Sequence, residues 1–448
     1  MTSHSRSARV VGLGPAGRIF AHRAAARGWQ VQAFDPAGGS LPATIGLWRE
    51  QLPGWVPPDL VAATFTPRVT LFDGTQVSLD RSYCVINNAE FAQLGGFEVV
   101  ADTVDSVAET REPGAFRHLP GANLDIVATG ANLAAASGSR GQPRQLAIGH
   151  IFLRTDLPAA AQQPMLMDFQ PVTVATTTGS PRQILAAQAA EGQPASFSYR
   201  IPLDEQRFLI EETIVAVAVA APSAAPCGTS RGNDRGTSRG TSRGTSQSGP
   251  SGASGASGIW GEDALLELLR QRQDARLQSL SVDPARSIGA ETVSFPLLRA
   301  TSAPPLLTRG NPRQLAAGFI GGWMHPATGY SVGNVFAGVD DALDMAEQPW
   351  RRIFPSAVPS RASLAHRERG LGALLHFDAV ETAAFFHTFF QLPQRQIFDY
   401  LLASRSLPIL GAMIRLAPRL AHQDPALLRK LIGAYLRGVG SWRDDSGF

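Results

Sequence analysis

Residues 8–35 read ARVVGLGPAGRIFAHRAAARGWQVQAFD and combine two short apolar segments with a glycine-rich turn. The apolar segments, 8–11 and 31–34, predict buried strands, and 19–27 predicts a helix between them. Three glycines of the turn have the G-x-G-x-x-G spacing that brings backbone close to a pyrophosphate at a helix N-terminus: Gly12, Gly14 and Gly17. Asp35 follows the second strand, where a carboxylate can accept hydrogen bonds from an adenosine ribose. The stretch therefore predicts an α/β fold with a Rossmann-type dinucleotide-binding domain; the alternative is a glycine-rich turn that only packs tightly.

Further residues extend this cofactor prediction. Pro15 and Ala16 in the middle of the turn favour FAD over a plain nicotinamide dinucleotide. A second glycine-rich turn, 321–331, lies between a predicted strand, 313–319, and a predicted helix, 332–345. A helix N-terminus directed at a bound ring stabilises negative charge, such as that of a reduced flavin. A short apolar segment, 125–128, ends in Thr129 and Gly130, where a glycine lets the chain pass close to a cofactor. We therefore predict cofactor contacts at Gly130 and, from the turn 321–331, at Gly322, Pro326, Gly329, Tyr330 and Ser331.

Residues 197–213 read FSYRIPLDEQRFLIEET and place two glutamates, Glu211 and Glu212, directly after an apolar segment. Burying a carboxylate costs several kcal/mol unless it is paired or protonated, so burial raises its pKa. The stretch therefore predicts a neutral, proton-donating carboxylic acid. The alternative is an ordinary salt bridge, for which Arg200 and Arg207 are available partners.

Composition narrows the setting in which the chain works. It has 448 residues, a formal net charge of +3 and a pI near 9.2, and Lys430 is its only lysine. This basic bias is too weak for a nucleic-acid partner but suits an anionic membrane surface. Cys84 and Cys227 lack the spacing of a disulfide or metal site, so we expect a reduced, cytoplasmic setting and no metal. No apolar segment reaches the roughly 18–20 residues of a spanning helix.

The order of patterns predicts a β-rich lobe inserted into the nucleotide-binding domain, followed by helices. Strand-like segments fill 146–212, and the Ser/Gly/Thr/Arg-rich stretch 222–258 is predicted to be disordered, either inert or in contact with anionic lipid or RNA. The C-terminal helices are rich in phenylalanine and can be core or an interfacial surface. The predicted division assigns 1–145, with excursions from the domain at 40–100, to the nucleotide-binding domain, 146–221 to the substrate lobe, 222–258 to the insert, 259–312 to the continued lobe, 313–350 to a second nucleotide-binding segment and 351–448 to a helical region.

Taken together, these motifs resemble the flavoprotein lycopene cyclases. The matching segments are GLGPAG at Gly12, GLW at Gly46, MLMDF at Met165, SYRIPL with FLIEET, and HPATGYSV at His325. The resemblance implies a two-lobed FAD fold of the hydroxylase, or glutathione-reductase-like, type with an antiparallel substrate sheet. It further implies reduced FAD as cofactor, NADPH or NADH as reductant, and acid-catalysed ring closure of lycopene or a related acyclic carotenoid at a membrane surface.

Strand geometry bears on the two glutamates. Successive side chains of a strand point to opposite faces, so Glu211 and Glu212 should not both enter one pocket unless the strand is bulged. We predict Glu211 as the proton donor, with Glu212 orienting it or serving as the alternative donor. Four residues are predicted to line the substrate pocket, and aromatic faces among them can stabilise a cation: Phe197, Tyr199, Trp323 and His325. His325 has two interpretations, a general acid or a residue whose hydrogen bonds fix its loop.

Two rival functions are compatible with some of these features. A flavin monooxygenase or halogenase of the same fold usually has Gly-Asp before the second flavin motif, where this chain has Gly318 and Phe319. A non-catalytic flavin- or carotenoid-binding protein would have no need of the paired acids. The oxygenation motif is thus incomplete and the acids are present, which favours the cyclase.

Overall fold

The computed structural model describes residues 6–39, 43–102, 122–129, 142–173, 179–220, 260–297, 314–348 and 357–438. Its strands are β1 (Ser7–Val11), β2 (Gln30–Phe34), β3 (Gly46–Trp48), β4 (Val61–Phe65), β5 (Arg68–Thr70), β6 (Gln76–Ser78), β7 (Tyr83–Ile86), β8 (Glu98–Val100), β9 (Leu124–Val127), β10 (Gln142–Leu153), β11 (Met165–Asp168), β12 (Ser196–Pro202), β13 (Arg207–Val219), β14 (Gly289–Pro296) and β15 (Gln314–Ala316). Its helices are α1 (Pro15–Ala26), α2 (Asn88–Ala92), α3 (Pro181–Ala190), α4 (Glu262–Ser279), α5 (Val332–Glu347), α6 (Arg361–His376), α7 (Ala379–Phe390), α8 (Gln394–Leu402), α9 (Ser406–Gln423) and α10 (Pro425–Arg437).

Five strands form a parallel sheet in the order β15-β9-β1-β2-β8. At its centre Val10 of β1 pairs with Ala33 of β2 and with Ile126 of β9, and all three are fully buried. α1 packs on β1 and β2, as the crossover of a parallel pair must. α5 packs on α1, where Arg23 and Arg27 both form ion pairs with Asp340. The predicted Rossmann-type α/β fold is confirmed.

A second sheet has seven strands in the order β14-β10-β13-β12-β11-β5-β6, and only its β11–β5 pair is parallel. The long strands β10 and β13 lie side by side within it. On one face Leu146, Ile148 and Ile214 pack with Leu265 and Leu269 of α4. The alternate residues of these strands point to the other face, where they line a large cavity. The substrate lobe is thus a sheet with one face covered by a helix and the other available to a ligand.

Two smaller units pack beside the seven-stranded sheet. The sheet β3-β7-β4 carries Tyr83, whose ring meets that of Trp48 at a centroid distance of 5.1 Å. Helices α6 to α10 pack beyond it, and Phe386 of α7 stacks on Phe169 with ring centroids 4.7 Å apart. α7 begins at a capping box in which Asp378 and Glu381 each accept the other's backbone N–H. Among the described helices, none has the length and apolarity needed to cross a membrane.

The seven-stranded sheet also takes strands from distant parts of the chain. β5 and β6 fall within the predicted excursion 40–100, and they extend the seven-stranded sheet because Val69 pairs with Met167 of β11. β14, which no motif marked, forms the opposite edge of that sheet. The predicted insert 222–258 and Gly130 lie outside the described residues, as does most of a predicted strand, 172–177.

Candidate active site

The first glycine-rich turn is held by contacts that only glycine permits. Gly12 has φ +90°, and a Cβ there would lie 2.7 Å from the Ala128 carbonyl oxygen. A Cβ at Gly17 would lie 1.9 Å from the Gly12 oxygen, so a side chain at this position would separate α1 from the turn. The Gly12 N–H donates to the Phe34 carbonyl at 2.8 Å, which joins the turn to β2. These contacts bring the N-terminus of α1 close to the end of the parallel sheet.

This turn fits a dinucleotide. No side chain caps α1 at Gly14, its first turn contains no acidic residue, and a Cβ at Gly14 would meet nothing within 4 Å. Open space next to uncapped helix amides suits a phosphate group. Asp35 accepts the Leu13 N–H at 2.7 Å and the Ala37 N–H at 2.8 Å. Its carboxylate therefore lies at the turn, where a ribose would bind.

The second turn brings α5 to the same region. Ser331 precedes α5 but its side chain does not cap the helix, and the first turn of α5 contains no acidic residue. Gly329 has φ +74°, and a Cβ there would lie 2.6 Å from the Gln145 Oε1 atom. That Oε1 is buried without a hydrogen-bond partner in the described residues, so it is an acceptor for a ligand N–H group. Gly318 meets Ala16 of α1 closely, since its Cβ would lie 2.8 Å from the Ala16 Cβ.

A cavity of about 450 Å³, here called the central cavity, connects these turns to the seven-stranded sheet. The residues predicted to contact the cofactor divide into those that line it and those that support it. Its lining includes Pro15, Gly329, Tyr330 and Ser331. The others that the structure describes lie in the two glycine-rich turns or at the end of β2: Gly12, Gly14, Ala16, Gly17, Asp35, Gly322 and Pro326.

Glu211 faces the central cavity from β13. Strand pairing aligns Tyr199, Glu211, Gly149 and Glu291 in one row across β12, β13, β10 and β14. Only 7% of Glu211 is exposed, and burial together with the charge of Glu291 raises its pKa well above the usual range. The Thr213 hydroxyl donates to one carboxyl oxygen of Glu211 at 3.0 Å. Burial and the neighbouring charge therefore both favour the protonated form of Glu211, whose side chain lines the cavity.

Glu212 lies on the opposite face of β13. Its carboxylate accepts hydrogen bonds from Arg276 Nε of α4 at 3.1 Å and from the Ser196 hydroxyl at 2.6 Å. Burial lowers the pKa of Arg276, but the charges of Glu212 and Asp168 outweigh it and raise the pKa overall. Arg200, suggested by the sequence as an ordinary partner for the glutamates, pairs with Asp168 instead. Glu212 thus belongs to a buried ion network between sheet and helix and lies away from the cavity.

Three tyrosines surround the acid. Tyr83, Tyr199 and Tyr330 all line the central cavity, and the rings of Tyr83 and Tyr330 lie 6.4 Å apart. Burial raises the pKa of Tyr330 to about 12, and burial with the neighbouring Tyr330 raises the pKa of the other two well above the usual value. All three therefore stay neutral, and their electron-rich faces are available to a cation.

The other three residues predicted to line the substrate pocket do not reach the central cavity. Phe197 is on the correct face of β12 but packs against Phe169 at a centroid distance of 5.4 Å. Trp323 is fully buried, and its Nε1 donates to the Ala316 carbonyl. His325 accepts the Ala327 N–H, and burial with the charge of Arg367 lowers its pKa. His325 is therefore a neutral residue that fixes its loop, as its second interpretation has it.

Several cavity residues were missed from the sequence. Glu291 lies on β14 and faces Glu211 across Gly149, and its carboxylate accepts the N–H and hydroxyl of Thr44 at 3.1 and 2.9 Å. Tyr83 comes from the small sheet. The only signal for Glu291 is the alternation of Gly289, Glu291, Val293 and Phe295, which share a face, and it becomes informative once the pairing of β14 with β10 is known.

Two apolar cavities lie between the central cavity and the surface of the C-terminal helices. A narrow cavity of about 30 Å³ shares Thr328 and Tyr330 with the central cavity. An outer cavity of about 130 Å³ shares Leu374, Phe385 and Tyr400 with the narrow one. The outer cavity extends to Ile432 and Leu436 of α10, which are 47% and 74% exposed. The three cavities thus adjoin one another in series from the acid toward the surface.

The fold and the site together define the class: a two-lobed α/β protein with a Rossmann-type domain and a buried acid that faces the central cavity. A geranylgeranyl bacteriochlorophyll reductase-like protein from Thermoplasma acidophilum has this fold, with a TM-score of 0.50 at 13% identity over 96% of this chain and 100% of that one. The sequence model of the family described as lycopene cyclase protein matches residues 9–225 and 261–417. The chain therefore belongs to the lycopene cyclase family, and the resemblance stated from its motifs is confirmed.

Two relatives match along most of their length. A protein of Deinococcus radiodurans described as an uncharacterized carotenoid cyclase is 27% identical over 412 residues, covering 86% of this chain and 83% of the relative. The lycopene beta cyclase of Synechococcus elongatus is 24% identical over 443 residues, covering 91% of this chain and 92% of the relative.

Proposed function

We propose that this protein is a lycopene cyclase, which closes the ψ-end groups of lycopene into β-ionone-type rings and gives β-carotene via γ-carotene. One observation carries the proposal: Glu211, a buried acid, opens on the same cavity as Pro15 of α1 and Ser331 of α5. The family and the described activity of the Synechococcus relative support it. The reaction is an isomerisation, an intramolecular bond formation without net oxidation or reduction.

FAD is the proposed cofactor, in its reduced form and with NADPH or NADH as the electron source. Asp35 and the turn at Gly12 would hold its adenosine and phosphate groups, and the turn at Gly329 would contact its ring system. When bound and reduced, the flavin supplies negative charge that stabilises a cation. The unpartnered Gln145 Oε1 and the two uncapped helix N-termini fit such a group.

The chain's own residues supply the acid chemistry. Glu211 gives its proton to the end alkene, which forms one C–H bond and leaves a tertiary carbocation. The neighbouring double bond attacks that cation and forms the ring C–C bond, and loss of a proton from the ring leaves the ring alkene. Each intermediate is a cation, and the faces of Tyr83, Tyr199 and Tyr330 can each contribute about 0.5–2 kcal/mol to its stability.

This series of adjoining cavities supports a long, lipid-soluble substrate. One end group would reach Glu211 while the rest of the polyene occupies the narrow and outer cavities. Leu407 and Ile414 of α9 are 78% and 63% exposed, and Arg415 and Arg419 on the same helix are exposed too. Exposed apolar side chains with neighbouring cations suit an anionic membrane surface. We therefore propose peripheral contact with the cytoplasmic membrane surface through α9 and α10.

The test is expression in a lycopene-accumulating host together with assays of the purified holoenzyme. The wild type should convert lycopene into cyclic carotenoids, whereas Glu211→Gln should lose cyclisation and retain FAD. Glu205→Gln, an exposed acid in the turn of the same hairpin, should remain active. Unchanged lycopene with the wild type, or full activity in Glu211→Gln, would contradict the proposal. Carotenoid-stimulated oxygen uptake would favour a monooxygenase instead.

The raised pKa of Glu211 adds a signature in pH. The acid works in its protonated form, so turnover should fall as pH rises through its raised pKa. The folded protein also holds this proton more tightly than the unfolded chain, so the carboxyl destabilises the fold increasingly above the ordinary pKa of glutamate. Glu211→Gln should accordingly raise Tm at neutral pH, which differential scanning calorimetry would show. An unchanged or lower Tm would contradict the burial argument.

A further inference from the structure

Glu291 occupies a position from which it can take part in the same reaction. Gly149 of β10 pairs with Glu211 on one side and with Glu291 on the other, so the two acids share a row and a face of the sheet. Both line the central cavity, where the buried and unpartnered Gln145 Oε1 marks a ligand site. The two acids therefore face the same cavity.

Gly149 permits the two carboxyl groups to meet. A Cβ at this position would lie 2.8 Å from Leu209 Cδ1, 3.0 Å from Glu211 Cβ and 3.3 Å from Glu211 Cγ. With hydrogen in place of that methyl group, the side chain of Glu211 can lean across β10, and its carboxyl hydrogen-bonds to that of Glu291. The strand between the two acids, β10, thus lacks a side chain at the position where their carboxyl groups approach each other.

The surroundings of the two acids are unequal. Glu291 Oε2 accepts two hydrogen bonds, from the N–H and the hydroxyl of Thr44, whereas Glu211 accepts one, from Thr213. Hydrogen bonds from neutral donors stabilise a carboxylate, and two neighbouring carboxyl groups resist being ionised together. Two carboxyl groups so close together thus favour one shared proton, and the raised pKa of Glu211 favours that residue as its holder.

We propose that Glu291 is the base that completes the ring closure, an inference that rests on the proposed function. Glu211 gives its proton to the end alkene and becomes a carboxylate. After the ring C–C bond forms, Glu291 removes a proton from a carbon next to the cationic centre, and the electrons of that C–H bond become the ring double bond. The proton then passes from Glu291 to Glu211 across their hydrogen bond, which restores the starting state without any other reactant.

Glu291→Gln in the holoenzyme tests this role. Turnover of lycopene should fall on the order of 100-fold, the loss typical of a missing general base. The high-pH limb of the pH–rate profile should also move to lower pH, because the charge that helps to raise the pKa of Glu211 is gone. Glu291→Asp keeps the charge and should keep the limb near its wild-type position. Thr292→Val, on the outer face of the same strand, is the matched control and should behave as the wild type.

Each outcome decides the matter. Wild-type turnover in Glu291→Gln, or a loss of turnover with an unmoved high-pH limb, would overturn the proposal, since a purely structural role leaves the limb in place. A wild type that cyclises no carotenoid would refute the proposed function and the base role together. Infrared titration of the protonated carboxyl band tests the proton-sharing pair separately from turnover. The band should be absent in Glu211→Gln, which assigns it to Glu211. The pH midpoint of its titration should be lower in Glu291→Gln than in the wild type.

Discussion

The substitution Gly149→Ala should displace the carboxyl group of Glu211 while changing the stability of the seven-stranded sheet only modestly. The new methyl group would press on Leu209 and Glu211 at distances of 2.8–3.3 Å, whereas carbon atoms attract one another best at about 3.5–4.0 Å. The Glu211 side chain must therefore move by about 0.5 Å or more. Overpacking of this kind costs about 1–3 kcal/mol, and replacing a strand glycine returns about 0.5–1 kcal/mol. The net loss of stability should be no more than about 2.5 kcal/mol.

The loss of activity should be much larger. A displacement of about 1 Å at a reacting group can cost on the order of 100-fold in rate. The assay is formation of cyclic carotenoid by purified holoenzyme in liposomes, with the free energy of unfolding measured in parallel by urea denaturation. Gly289→Ala is the matched control, because its Cβ would meet nothing closer than Ile151 Cδ1 at 3.7 Å. Wild-type turnover in Gly149→Ala would refute the claim that the lack of a side chain at Gly149 positions Glu211.

Two further substitutions test the two faces of the site. Glu212→Ala leaves Arg276 buried without its main partner, so the free energy of unfolding should fall by about 3–5 kcal/mol, as measured by urea denaturation. A loss below about 1 kcal/mol would contradict a structural role for Glu212. Ala417→Phe fills some of the outer cavity and should slow a full-length acyclic carotenoid about tenfold or more while a short polyene with one ψ-end keeps its rate. Equal effects on both substrates would show that the outer cavity does not hold the distal chain.

The nucleotide-binding domain could be predicted because its signals are local. The turn, its helix and both strands lie within residues 8–35, and the contacts of Gly12 and Gly17 depend on backbone geometry that few sequences satisfy. The opposite orientations of Glu211 and Glu212 follow in the same way from the two-residue period of a strand. Both predictions use information contained in one segment of chain.

The rest of the site depends on pairing between distant segments. Glu291 meets Glu211 only because β10 pairs with β13 on one side and β14 on the other, across more than a hundred residues of chain. Phe197 and Trp323 were placed in the pocket because they adjoin motifs, but neighbouring aromatic rings cover them: Phe169 meets Phe197, and Phe20 meets Trp323. A single sequence contains no signal for which side chain covers which.

Burial of Glu211 meets two opposing demands of the proposed chemistry. A raised pKa keeps the acid protonated at neutral pH, but it also makes the acid weak, and alkenes are poor bases. The site offsets this weakness by stabilising the product of proton transfer. The new carbocation forms beside the Glu211 and Glu291 carboxylates and three neutral tyrosines. Attraction between opposite charges in a water-poor cavity is far stronger than in solvent. Holding Glu211 on a strand that is paired on both sides fixes that attraction in place, which a loop would not do.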